Sequence, residues 1–148
     1  METMRISPVL ALAALGCGLF DSAPKLEHAV ATRLCGPVDQ PVTSIMLARD
    51  PIASPFQPPF PHVSVVIMES VGNLAGRTWD ITTDMGPGAW YVTGGGANQR
   101  QAALSGHVRV TSVDSAQRIR GAVELRFPAR TVVTDFSAPW VEPFFLCG

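Results

Sequence analysis

Ile119-Arg-Gly-Ala-Val-Glu-Leu-Arg-Phe127 decides the fold. Ile119, Gly121, Val123, Leu125 and Phe127 recur at every second position, with Arg118, Arg120, Glu124 and Arg126 on the reverse face. Successive strand side chains point to opposite faces, so this period makes one packed face and one wet face. Upstream, Val108 and Val110 share a face while His107, Arg109 and Thr111 share the other. Asp114-Ser-Ala-Gln117 supplies the turn between the two runs. The pair reads as an antiparallel hairpin with one side packed and one in solvent. Gly106 and Gly121 mark close packing or a bulge within it.

The same reading extends in both directions. Val42 to Ala48 is a strand with Ile45 and Leu47 toward the core and Ser44 and Met46 facing away. Val63 to Met68 has Val65, Val66 and Ile67 in succession, the mark of a strand buried on both sides. Thr78 to Thr83, Ala89 to Val92, Val132 to Phe136 and Phe144 to Cys147 complete the count. The expectation is a mainly β chain: about seven or eight strands in an antiparallel β-sandwich or small β-barrel. Leu26 and Val30, four residues apart, predict a short N-terminal helix running through Ala31. Thirteen glycines and thirteen prolines suit short strands joined by turns.

Pro51-Ile-Ala-Ser-Pro55-Phe56-Gln-Pro58-Pro59-Phe60-Pro61 carries five prolines. They remove amide donors and restrict the backbone, which excludes a helix or a central strand and favours polyproline conformation. The segment is a rigid covering loop, or a contact surface if Phe56 and Phe60 remain bare.

Formal net charge is −1, with charges scattered rather than in runs. That lacks the concentrated basic footprint of a nucleic-acid binder. Gly94-Gly95-Gly96 has no Walker ending and reads as a flexible hairpin tip or a mobile rim loop. His28, His62 and His107 have no metal-ligand spacing, and Asp80 and Asp84 stand among too few oxygen donors for an EF-hand loop. No nucleophile elbow is present. No catalytic, cofactor or metal residue is therefore assigned. Arg109, Arg118, Arg120 and Arg126 form an outward row suited to lipid head groups, an acidic polymer or a protein, or simply a solvated face. Trp79, Trp90, Tyr91 and Trp140 line an apolar pocket or fill the core.

The first residues are a different kind of signal. Met4-Arg-Ile-Ser-Pro-Val-Leu-Ala-Leu-Ala-Ala-Leu-Gly-Cys17 joins a basic residue, a short apolar stretch and small residues before a cysteine. This is the pattern of an export signal. Val9 to Leu15 is far short of the roughly 20 residues that span a bilayer. Ala14-Leu15-Gly16-Cys17 resembles the lipobox of bacterial lipoproteins. The resemblance covers only residues 1–17. It implies cleavage before Cys17, a diacylglyceryl group on its thiol, and, with Gly18 rather than aspartate following, an outer-membrane destination if the host has two membranes. Ala11-Leu12-Ala13 is the corresponding site if cleavage is that of plain secretion.

On the lipoprotein reading the chain divides into a signal peptide, 1–16, a lipid-anchored stalk, 17–34, and one β domain, 35–148. Loss of 1–16 removes Glu2 and Arg5 together and leaves the net charge unchanged. Cys35 and Cys147 then remain as an even pair that an oxidising compartment would bridge. The expected partners are the membrane, through the lipid, and an envelope protein or polymer; no nucleic acid is expected. The expected function is a non-catalytic, lipid-tethered binding or structural domain of the cell envelope. An apolar-ligand carrier or chaperone at the membrane surface is the first alternative, and a small secreted hydrolase the second.

Overall fold

The structure is a computed structural model and describes residues 25–37, 40–83 and 86–143. Its ten strands are β1 (His28–Cys35), β2 (Pro41–Ala48), β3 (His62–Ile67), β4 (Thr78–Ile81), β5 (Gly88–Val92), β6 (Arg100–Ala102), β7 (Ser105–Val113), β8 (Ile119–Phe127), β9 (Arg130–Ala138) and β10 (Trp140–Val141). One sheet has the order β10-β1-β2-β3-β5-β6 and the other β4-β7-β8-β9. Among the described residues neither sheet closes on itself, so of the two expected architectures the sandwich is the one formed.

The β7–β8 hairpin has the predicted faces. Val108 lies opposite Val123, and His107 opposite Glu124. The register slips between Val110 and Ser112, leaving Thr111 as the extra residue of a bulge. Both glycines are required where they stand. Gly106 has φ +143, and a Cβ there would meet the Glu124 carbonyl. At Gly121 a Cβ would meet the Arg109 carbonyl and the Phe136 ring. At the turn, the Asp114 carboxylate accepts the N–H groups of Ala116 and Arg118. The bond from Arg118 is the main reason the carboxyl is held below the usual aspartate range.

The core lies between the sheets. Ala31, Ile45, Leu47, Val63, Val65 and Ile67 come from one side, and Val108, Val110, Ile119, Val123 and Leu125 from the other, each exposed by 1% or less. Arg77 lies over the Trp79 ring at 5.1 Å, and Arg130 lies over the Tyr91 ring at 4.1 Å. Tyr91 itself packs edge-on to Phe127 across the sandwich.

Residues 28–35 are strand β1 and not the expected helix. Val30 and Ala31, adjacent in sequence, are both buried because they point to opposite faces of an interior strand. The spacing of Leu26 and Val30 fits a helix equally well, since burial on both faces erases the alternation that marks a strand. β2 shows the same effect. Ser44 and Met46 do face away from Ile45 and Leu47, yet all four are buried. β1, β6 and β10 are the strands absent from the sequence reading; the proposed strand at 144–147 lies outside the described residues.

β10 decides the closure of the fold. It leaves β9 through Pro139, crosses to the other sheet and lies parallel to β1, with Ala31 opposite Trp140 and Thr32 opposite Val141. The Ala31 N–H donates to the Pro139 carbonyl at 2.9 Å, and Thr32 Oγ1–H to the Val141 carbonyl at 2.7 Å. Cys35, three residues beyond Thr32, is disulfide-bonded. Cys17 and Cys147 lie outside the described residues.

Candidate functional site

The β2–β3 loop, 49–61, holds the two phenylalanines singled out from sequence. Phe60 is 48% exposed and Phe56 37% exposed, while Pro55, just before Phe56, is buried. The loop is braced from below. Gln57 N–H donates to the Ser54 carbonyl, closing a turn around Pro55 and Phe56, and Phe56 N–H donates to Ser54 Oγ. His62 opens β3, is only 5% exposed, and donates its Nδ1–H to the Pro59 carbonyl at 2.9 Å. The Phe60 ring stacks on the His62 ring with centroids 5.4 Å apart. Burial pushes the His62 pKa down, and the nearby Arg100 cation adds to that. A neutral imidazole thus serves as the floor for an exposed aromatic ring.

Register carries this surface onward. His62 faces Val92, which faces Arg100, and these three lie on the side of their sheet away from the core. The row below is Ser64, Trp90 and Ala102. The Arg100 guanidinium lies over the Trp90 ring at 5.5 Å. Gly94-Gly95-Gly96 forms the β5–β6 tip, as expected. Gln99 closes that tip by accepting Gly96 N–H on its side chain and Thr93 N–H on its carbonyl.

The arginine row is divided by the fold. Arg109, Arg120 and Arg126 share the outer face of the four-stranded sheet, and Arg118 stands before β8, at the turn. Arg120 and Arg126 are six residues apart on one strand, roughly 20 Å. Between them runs the row Asp80–His107–Glu124, and Asp135 lies two strands from Arg109, across Ala122. Arg120 also pairs with Asp114 at 3.4 Å, and His107 Nε2 approaches Glu124 at 3.8 Å. The face is therefore a mosaic of both signs, not a basic patch. The acidic partners from β4 and β9 could not be placed beside these arginines without the strand order.

The aromatic residues do not share one pocket. Tyr91 is in the core, while Trp79 and Trp140 pack against it. Trp140 lines one cleft and Trp90 another. In the first, Arg33 Nη2 meets Glu142 at 3.1 Å, and Trp140 Nε1–H donates to the other Glu142 oxygen at 2.7 Å. His28, His62 and His107 stand on β1, β3 and β7, the first two on one sheet and the third on the other. Among the described residues no three His, Cys, Asp or Glu side chains form a metal-sized cluster, and no helix is long and apolar enough to cross a membrane. Cys17 and Cys147 lie outside the described residues, as does Asp84. The chain matches no family model, no curated protein and no solved structure.

Proposed function

We propose that this chain is a non-catalytic module of a bacterial cell envelope, tethered by a lipid on Cys17, that holds another envelope component through the β2–β3 loop. One observation carries the reading: Phe56 and Phe60 stay exposed on a braced loop, apart from the buried core cluster. Both rings are left partly exposed, and covering the remaining exposed part of each against a partner is worth on the order of 1 kcal/mol. Such residues are the anchors of contact surfaces when they cluster. The lipobox-like Ala14-Leu15-Gly16-Cys17 supports the tether. β10 runs parallel to β1 in the direction that leads to Cys35, which supports a Cys35–Cys147 bridge.

The test separates tether from contact. Cys17→Ser chain, lacking the anchor, is titrated onto isolated envelopes of the host, with and without Phe56→Ser and Phe60→Ser. Saturable binding that is lost in the double variant, at unchanged melting temperature, is the expected result. Equal binding by both chains, or no saturable binding by either, refutes the contact role of the loop. Metabolic labelling with palmitate that survives Cys17→Ser refutes the tether.

A further inference from the structure

β6 is the edge strand of the six-stranded sheet, two strands from β3, where His62 floors the loop. Thr93 N–H donates to the Gln99 carbonyl and Ala103 N–H to the Ala89 carbonyl, both at 2.8 Å. Between these pairs Tyr91 stands opposite Gln101. In an antiparallel ladder the hydrogen-bonded pairs fall at every second residue, here 99, 101 and 103. Arg100 and Ala102 occupy the alternate positions, so their N–H and C=O groups point away from β5 to the open edge of the six-stranded sheet. All three β6 residues are exposed.

Short edge strands bearing a charge are a common way to keep a sheet from pairing further. Two features set this edge apart. A groove of about 740 Å3 runs beside it, bordered by Met68, Pro87, Gly88, Trp90 and Ala102. A Cβ on Gly88 would meet the Trp90 ring, so the indole packs over the bare glycine backbone next to the small Ala102. Met68, at the groove's border, is 43% exposed. Alternating donors and acceptors at strand spacing are answered by another polypeptide backbone, whereas a lipid or a sugar offers no such series. The flanking groove then provides room for a side chain.

We infer that β6 accepts an extended segment of a partner protein as an added antiparallel strand. Every pairing in this sheet except β1–β10 is antiparallel, which favours that direction. The partner places a large apolar side chain opposite Ala102, against the Trp90 ring, and an acidic one two residues later, opposite Arg100.

The probe is the synthetic peptide acetyl-Thr-Thr-Phe-Thr-Glu-Thr-amide, titrated onto the full chain in detergent and followed by amide NMR and hydrogen exchange. Exchange at the Arg100 and Ala102 amides slows about tenfold at saturation, as for hydrogen bonds newly closed to solvent. Ala102→Pro removes one outward N–H that the sheet itself does not use, so it abolishes binding while the chain stays folded. Arg100→Glu weakens binding about threefold and favours a peptide with Lys in place of Glu by a similar factor. No protection at millimolar peptide, protection that survives Ala102→Pro, or absence of the charge swap overturns the assignment. Protection without peptide, rising with protein concentration alongside a doubled mass, also overturns it by making the occupant a second copy. Phe56→Ser and Phe60→Ser leave peptide binding unchanged, so the edge and the loop fail or stand separately.

Discussion

His62 and Ser44 are buried polar residues with different consequences. His62 is held neutral beneath Phe60 by burial, with Arg100 across Val92 and His28 across Ala48 as the nearest titratable or charged neighbours in its row. Its folded pKa lies below the ordinary 6.5, so near and below that pH the unfolded chain binds more protons than the folded one. Its contribution to stability is therefore complete above pH 6.5 and is lost as pH falls through the lowered native value. The melting temperature should drop between pH 7.5 and 5, and His62→Gln should flatten that slope; an unchanged slope would assign the acid sensitivity to other groups. Ser44 Oγ is buried without a hydrogen-bond partner. Ser44→Ala should thus be neutral or stabilising by up to about 1 kcal/mol in urea denaturation. Gly121→Ala forces a Cβ against the Arg109 carbonyl and the Phe136 ring, and should cost about 1–3 kcal/mol. Gly95→Ala, with nothing near its Cβ, serves as the control.

At the scale of elements, legibility followed solvent. β8 was readable because one of its faces is wet, so its polar and apolar residues alternate. β1 was not, because Val30 and Thr32 on one face and Ala31 on the other are all buried. The rest of the misreading lay in β6 and β10, whose three and two residues are too few to show any period. β10 is held to β1 by the buried Thr32 hydroxyl, and Thr32→Val should cost about 1 kcal/mol through loss of that bond. The same substitution should raise hydrogen exchange at the Ala31 amide, which bonds the chain entering β10. In the candidate site, Phe56 and Phe60 were legible because five prolines announce an irregular, surface-bound segment. The His62 floor beneath Phe60 was not, because a lone histidine after a proline run carries no sign of what stacks on it.

Over the whole molecule, the course of β10 beside β1 makes the proposed Cys35–Cys147 bridge a clasp around nearly the entire domain. A loop of roughly 100 residues closed in this way is worth of order 4–5 kcal/mol on the chain-entropy account. Reduction should lower the denaturant midpoint accordingly, and intact mass after alkylation should show two thiols appearing only on reduction. Two alkylated thiols without reduction would remove the clasp. Sequence alone determined that this chain is a mainly β domain, where its principal hairpin lies, and that its proline-rich segment bears two aromatic rings. It could do so because strand period, turn chemistry and proline geometry are local properties of the chain. Only the tertiary structure decided that the sheets form an open sandwich, that residues 28–35 are a central strand, that the arginines lie among carboxylates, and that β6 offers a free edge beside Trp90. Those outcomes depend on which strands become neighbours, and strand order arises from burying two faces against each other, a condition no short stretch of sequence contains.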